Sequence, residues 1–161
     1  MESDATLIDH FANNVRSLCD LIESHSSFEK YDFLNGCRLL LSNLYFLGLN
    51  LPEGDYHEGI KRIPYGHDNW LKLYESLQIY LNDDDTYYKL GNPFEEEEVY
   101  PVTISNDLSE IVQSMKPSLL LYEKNTKEYM EAAIFEWKLN FFHWGEHIIC
   151  VLYPLHELLD E

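Results

Sequence analysis

Apolar residues recur at steps of three and four positions along most of this chain, which is the spacing of one face of an α-helix. The first such segment begins at Ser3 or Asp4 and has polar residues between its apolar positions. The apolar positions are Leu7, Ile8, Phe11, Val15, Leu18, Cys19 and Ile22. This pattern predicts an amphipathic first helix.

Two more helices are predicted in the first half of the chain. Ser26 followed by Glu29 forms a capping-box signature ahead of an apolar run, and Gly48 is placed to end the helix that follows. The stretch 53–67 is polar and rich in Gly and Pro, which favours a loop. Asp68 then predicts the start of a third helix.

The second half of the chain also has helical spacing. Thr103 or Ser105 can cap a fourth helix, in which Pro117 removes a backbone amide and is expected to introduce a kink. Thr126 opens the longest apolar run, which Pro154 is expected to bend or end.

Together these segments predict an all-α fold, a single domain over residues 1–161. We expect a bundle of about five helices with one irregular acidic loop inserted at residues 83–102. The sequence has no internal repeat, no coiled-coil heptads and little alternation of period two. Short strands at Ile60–Ile63 or Val99–Ile104 are compatible with the pattern.

The cellular compartment follows from the amino terminus and the cysteines. The chain does not begin with a basic region followed by an apolar run, and nowhere do about eighteen apolar residues follow one another. Cys19, Cys37 and Cys150 lie in apolar stretches without the spacing of a disulfide framework, which predicts buried thiols in a reducing compartment. We therefore expect a cytoplasmic protein that does not span a membrane.

The net charge indicates which kinds of partner the protein can bind. Twenty-nine acidic residues against eleven basic residues give a formal charge of -18. Such a charge repels nucleic acid phosphates and anionic lipid surfaces, and it attracts cationic proteins. We expect no direct binding of nucleic acid or membranes and a basic protein as partner, although acidic composition also serves solubility.

The charge is concentrated in the irregular segment 83–102. Seven acidic residues and one basic residue give it a local balance of -6. Aromatic residues stand among the acids, including Phe94 and Tyr100, and this combination suits a surface that attracts a basic partner and then holds it. The candidate partner-binding residues are Asp83, Asp84, Asp85, Tyr87, Tyr88, Glu95, Glu96, Glu97 and Glu98. The alternative is a solvated loop that only aids solubility.

One string has the pattern of a metal site: His143, Glu146 and His147 match the His-x-x-Glu-His pattern of inverted zinc peptidases. Two histidines four apart on a helix can hold one metal ion, with the glutamate beside them as a base. A working site needs a third protein ligand, and too little chain follows His147 to supply it as those enzymes do. We therefore favour packed or hydrogen-bonded histidines and expect no bound metal.

Other catalytic signatures are absent from the sequence. It has no glycine-rich phosphate cradle, no Gly-x-Ser-x-Gly elbow and no cysteine with an obvious histidine partner. The sequence therefore predicts no catalytic residues, no cofactor and a protein that is not an enzyme.

A set of residues, mostly in the carboxy-terminal third, carries a family resemblance. These residues are Ile104, Ser105, Asp107, Leu108, Ile111, Ala133, Glu136, Asn140, Phe141, His143, Trp144, Gly145, His147, Leu155 and His156, with a weaker match at Leu44, Tyr45, Leu49, Leu51 and Pro52. They resemble a family of short acidic bacterial proteins known only as a domain of unknown function. The resemblance implies an all-helical fold, no assigned activity, and a structural role for the His-Trp-Gly-x-His string.

Small acidic proteins of this design are also similar to the immunity proteins of bacterial toxin systems, which occlude a toxin. Many such toxins are basic nucleases, so an acidic inhibitor can occupy the surface meant for RNA or DNA. Our leading hypothesis is therefore an immunity protein that neutralises a cognate basic nuclease toxin. The alternatives are a metal-dependent hydrolase that uses His143, Glu146 and His147, and a general acidic adaptor or nucleic-acid mimic.

Overall fold

A computed structural model describes residues 3–160, which form six α-helices and one two-stranded antiparallel sheet. The helices are α1 (Asp4–Glu23), α2 (Lys30–Leu49), α3 (His67–Leu81), α4 (Ile104–Tyr122), α5 (Lys127–Leu139) and α6 (Phe141–Leu159). The strands are β1 (Thr86–Lys89) and β2 (Tyr100–Thr103), and 3₁₀ turns occupy His25–Ser27 and Asn82–Asp84. The predicted all-α fold is confirmed, and none of the described helices is long and apolar enough to cross a membrane.

Two tryptophans mark the centre of the core. Trp137 of α5 and Trp144 of α6 are fully buried, and the ring of Phe11 from α1 lies 5.0 Å and 5.9 Å from theirs. The indole N–H of Trp137 donates to the carbonyl oxygen of Met115 on α4, and the indole N–H of Trp144 donates to the carbonyl oxygen of Trp137. Because each buried N–H is paired, these large rings contribute their full apolar area to the junction of α1, α4, α5 and α6.

Three predicted helix starts are confirmed by their caps. The hydroxyls of Ser3, Thr103 and Thr126 accept the backbone amide three residues further on, at 3.3, 3.1 and 3.4 Å. Each bond satisfies one of the first amides of its helix, which have no partner within the helix.

The predicted capping box at Ser26 is wrong. Ser26 lies in a 3₁₀ turn, and α2 begins four residues later with no side-chain cap. The turn is held by His25, whose ring nitrogens bond the carbonyl oxygen of Ile22 and the hydroxyl of Ser76, both at 2.8 Å. This tertiary contact with α3 outweighs the local capping signal.

The longest apolar run forms two helices, because the chain turns at Asn140. This residue has φ -95° and ψ 9°, and its side-chain amide donates to the carbonyl oxygen of Glu136 at 2.9 Å. The backbone amide of Asn140 donates to the same carbonyl oxygen at 3.1 Å, so this residue closes the last turn of α5. Pro117 and Pro154 lie inside α4 and α6, and both helices continue past them, so Pro154 does not end its helix.

The segment 83–102, predicted as an irregular loop, contains a β-hairpin. Thr86 pairs with Thr103 and Lys89 pairs with Tyr100, and residues 90–99 connect the two strands. Of the two short strands that the sequence pattern allowed, the one at Val99–Ile104 is present as β2, whereas residues 60–63 form no strand. The prediction of an irregular loop is wrong for the base of this segment.

Candidate functional site

Asp85 fixes the base of the hairpin from inside the protein. Its side chain is only 4% exposed, and its two carboxylate oxygens accept the backbone N–H and the hydroxyl of Ser105, both at 2.7 Å. Its carbonyl oxygen accepts the amide of Ile104 at 2.9 Å. Burial raises the pKa of Asp85, and the bonds from Ser105 oppose that shift. Asp85 thus caps α4 and takes no part in the exposed acidic surface for which it was predicted.

Tyr87 also faces inward. Its hydroxyl donates to one oxygen of Asp107 at 2.5 Å, and Nδ1 of His147 bonds the other oxygen at 2.7 Å. Burial and the contact with Asp107 raise the pKa of Tyr87. Asp107 itself is 3% exposed. The predicted partner anchor Tyr87 therefore ties β1 to α4 and, through Asp107, to α6.

The remaining predicted acids differ in what they contact. Asp84 forms an ion pair with Lys30 at 3.1 Å, and one carboxylate oxygen of Glu97 accepts the amide of Asn92 at 3.0 Å. Asp83 lies exposed in the 3₁₀ turn before β1. These contacts leave the outermost acids of the connecting loop as the ones most accessible to a partner.

The hairpin loop surface is the name we give to Tyr88, which lies on β1, together with Phe94, Glu95, Glu96 and Glu98 of the connecting loop. All five side chains are exposed, Tyr88 by 67% and Phe94 by 95%. An exposed aromatic contributes almost nothing to the core of its own chain. The surface therefore combines two aromatic side chains with three carboxylates on one anchored hairpin.

The two histidines of the His-x-x-Glu-His string lie together, and a residue from α4 joins them. The rings of His143 and His147 are 4.9 Å apart, and Nε2 of His143 lies 3.3 Å from a carboxylate oxygen of Glu110. One possible ligand atom from each of these residues lies within 4.8 Å of the others. Glu146, predicted as a catalytic base in the hydrolase alternative, is exposed and does not belong to this cluster.

The family model described as a domain of unknown function, DUF5063, matches residues 3–161. The chain belongs to this family. The structure is similar to the crystal structure of protein BF1032 from Bacteroides fragilis, with a TM-score of 0.80 and 20% sequence identity over 96% of each chain. Among proteins with curated descriptions, none matches the chain. The expected membership of an uncharacterised family is confirmed, and the structural likeness extends to the fold alone.

In this DUF5063 protein an apolar groove of about 490 Å³ also lies between the hairpin and α6. Leu90 of the loop and Phe142, Glu146 and Ile149 of α6 are among the residues that line it. Nζ of Lys89 donates to Sγ of Cys150 at 3.6 Å. Sequence reasoning missed this groove, because it is formed between segments more than forty residues apart whose contact depends on the hairpin.

Proposed function

We propose that this protein is a cytoplasmic immunity protein that binds and neutralises a cognate basic toxin, a nuclease, through the hairpin loop surface. The observation that carries the proposal is Phe94, which is 95% exposed immediately before the four glutamates Glu95–Glu98. A large aromatic side chain held in water has an apolar area that becomes useful only when a partner covers it. Rigid aromatics are the residue type that most often dominates binding energy at protein interfaces.

Charge supports a basic partner. The carboxylates around Phe94 are part of a net charge of -18. Exposed charges of one sign increase the rate of association with an oppositely charged protein. A nuclease presents such a basic surface, because it must bind phosphates. An inhibitor that covers that surface would exclude the substrate.

The hairpin base supports the proposal by limiting the entropy cost of binding. Asp85 and Tyr87 fasten β1 to α4, and the strands pair at both ends of the ten-residue connection. A loop held at both ends loses less conformational freedom when a partner immobilises it. The surface is therefore presented in a restricted set of positions.

Binding kinetics at two salt concentrations test the electrostatic part. The partner to be tested is the product of any toxin reading frame found adjacent to the gene. One variant changes Glu95, Glu96 and Glu98 to Gln. The matched control makes the same change in net charge on another exposed loop: Glu53→Gln, Asp55→Asn and Glu58→Gln. We expect the first variant to associate more slowly and with a flatter salt dependence than the control.

Truncation of the aromatics tests the anchors. Phe94→Ala and Tyr88→Ala should speed dissociation by about tenfold each, since a buried anchor contributes at least about 1.4 kcal/mol. Phe142→Ala, which removes an aromatic that is 75% exposed on α6, is the matched control and should leave dissociation unchanged. Both loop variants should also protect cells less well when they are co-expressed with the toxin.

Two results would contradict the proposal. If the neutralised variant binds and protects as well as the parent, the loop is only a solvated segment. If the parent binds unrelated basic proteins, such as lysozyme and cytochrome c, as tightly as the toxin, the protein is a general acidic adaptor. An immunity protein should bind its cognate toxin more tightly by several orders of magnitude.

A further inference from the structure

We infer that Glu110, His143 and His147 form a binding site for one divalent metal ion of the zinc class. The site lies between α4 and α6, and it goes beyond the proposed binding of a toxin. The His-x-x-Glu-His string contains only two of its ligands. The third comes from Glu110, more than thirty residues earlier in the chain, where the packing of α4 against α6 places it.

The spacing of the ligand atoms fits a tetrahedral ion. Donor atoms about 2.0–2.1 Å from a tetrahedral zinc ion stand about 3.3 Å from one another. Nε2 of His143 and the nearer oxygen of Glu110 are 3.3 Å apart, and all three candidate atoms fall within 4.8 Å. Small rotations of the His143 and Glu110 side chains, which are 42% and 23% exposed, would bring all three atoms to coordination distance with no change in the helices.

Asp107 supplies the outer contact that metal-binding histidines usually make. Its carboxylate bonds Nδ1 of His147 at 2.7 Å, which fixes the ring and leaves Nε2 as the nitrogen with a lone pair for a metal. Asp107 is almost fully buried and is also held by the hydroxyl of Tyr87. Asp107 already lies in the first turn of α4 and interacts with the charge of Lys89, and an ion bound to the opposite nitrogen of His147 would add further positive charge beside it.

The donor set and the surroundings favour zinc over calcium or magnesium. Two imidazole nitrogens and one carboxylate suit zinc, whereas calcium and magnesium take oxygen ligands. The side chain of His143 is 42% exposed and lines a cavity of about 410 Å³ together with the polar side chains of Gln113, Ser114 and Asn140. A water molecule can therefore complete the coordination from this cavity.

Titration of the metal-free protein with Zn²⁺ and Co²⁺ tests the site. The protein is stripped with a chelator and then freed of it. We expect one ion per chain, with the visible absorption of tetrahedral Co²⁺. Glu110→Gln and His143→Ala should each weaken binding by more than about 100-fold, and Asp107→Asn by about ten- to a hundredfold, the range typical of outer contacts.

His156→Ala is the matched control. His156 lies on the same helix and has its own carboxylate partner, Asp160, at 2.8 Å. Its replacement should leave the stoichiometry and affinity unchanged, which separates the site from adventitious binding by surface histidines. Glu110 and His143 are the decisive positions because both are partly exposed and their replacement should leave the circular dichroism spectrum intact. Absence of stoichiometric binding by the parent, or full binding by both variants, would overturn the inference.

Discussion

Replacement of Asp85 by Ala should destabilise the protein far more than replacement of any exposed acid of the same segment. Its carboxylate accepts the amide and the hydroxyl of Ser105 at 2.7 Å in a site only 4% exposed. Asp85→Ala removes both acceptors, so the amide of Ser105 is left buried without a partner. The hydroxyl of Ser105 retains its contact with Thr103 at 3.1 Å.

The magnitude follows from three contributions. A buried amide donor left without its cap costs about 1–3 kcal/mol, and loss of the bond from the Ser105 hydroxyl costs about 0.5–1.5 kcal/mol. Removal of a carboxylate whose pKa is raised by burial offsets part of this loss, since its desolvation no longer opposes folding. We therefore expect the free energy of unfolding to fall by about 2–3 kcal/mol.

Urea denaturation followed by circular dichroism measures this difference. Asp83→Ala is the matched control, because Asp83 is exposed two residues earlier, and it should change the free energy by less than about 0.5 kcal/mol. Asp85→Asn keeps an acceptor for the Ser105 amide and should cost less than half as much as Asp85→Ala. Equal stability of Asp85→Ala and Asp83→Ala would refute the capping role.

The direction of the pKa shift also predicts a pH dependence. Because the pKa of Asp85 is raised above its ordinary value of 3.8 in the folded state, the folded protein binds the proton more readily than the unfolded chain. The stability of the parent relative to Asp85→Asn should therefore rise as the pH falls from the folded-state pKa towards 3.8, and it should be constant above that window. A relative loss of stability on acidification would contradict this sign.

Two further predictions concern the core. Gly48→Ala should lower the free energy of unfolding by about 1–2 kcal/mol, because its new Cβ would lie 2.5 Å from the buried ring of Trp144; Gly59→Ala meets no atom within 4 Å and should be neutral in the same denaturation assay. Burial raises the pKa of Cys19 to about 12 and also raises that of Cys37, so neither thiol should react with Ellman's reagent at pH 8 until urea unfolds the chain. Rapid reaction of more than one thiol in the native protein would contradict the latter prediction.

Helices were predictable from the sequence because their signals are local. The three-and-four spacing identified the helical segments, and Ser3, Thr103 and Thr126 marked three starts correctly. The break at Asn140 was not predictable, since the apolar period continues across it and only the backbone angles of this residue show that the helix is interrupted.

The hairpin and the position of Glu110 beside the two histidines were harder to predict because they depend on tertiary contacts. Each strand has four residues, too few for a clear alternation of apolar and polar positions. Asp85 stands in a run of three aspartates that looks uniformly solvated, and only its contact with Ser105 distinguishes it. Glu110 is one of many acids in the sequence, and its place beside His143 depends on how α4 and α6 pack.

The hairpin segment separates the residues that hold the fold from those proposed to bind a partner. Asp85 and Tyr87 are fastened to α4 at the base, whereas Phe94 and the acids that follow it are exposed at the far end. Exposed charges contribute little to stability, and the entropy of closing a loop depends only weakly on its length. The connection between the strands can therefore change in sequence and length while the buried anchors keep its base in place, which under the proposed function would suit it to a different toxin. A chimera that carries the residue 90–99 connection of a related protein should thus keep its melting temperature and exchange its toxin specificity.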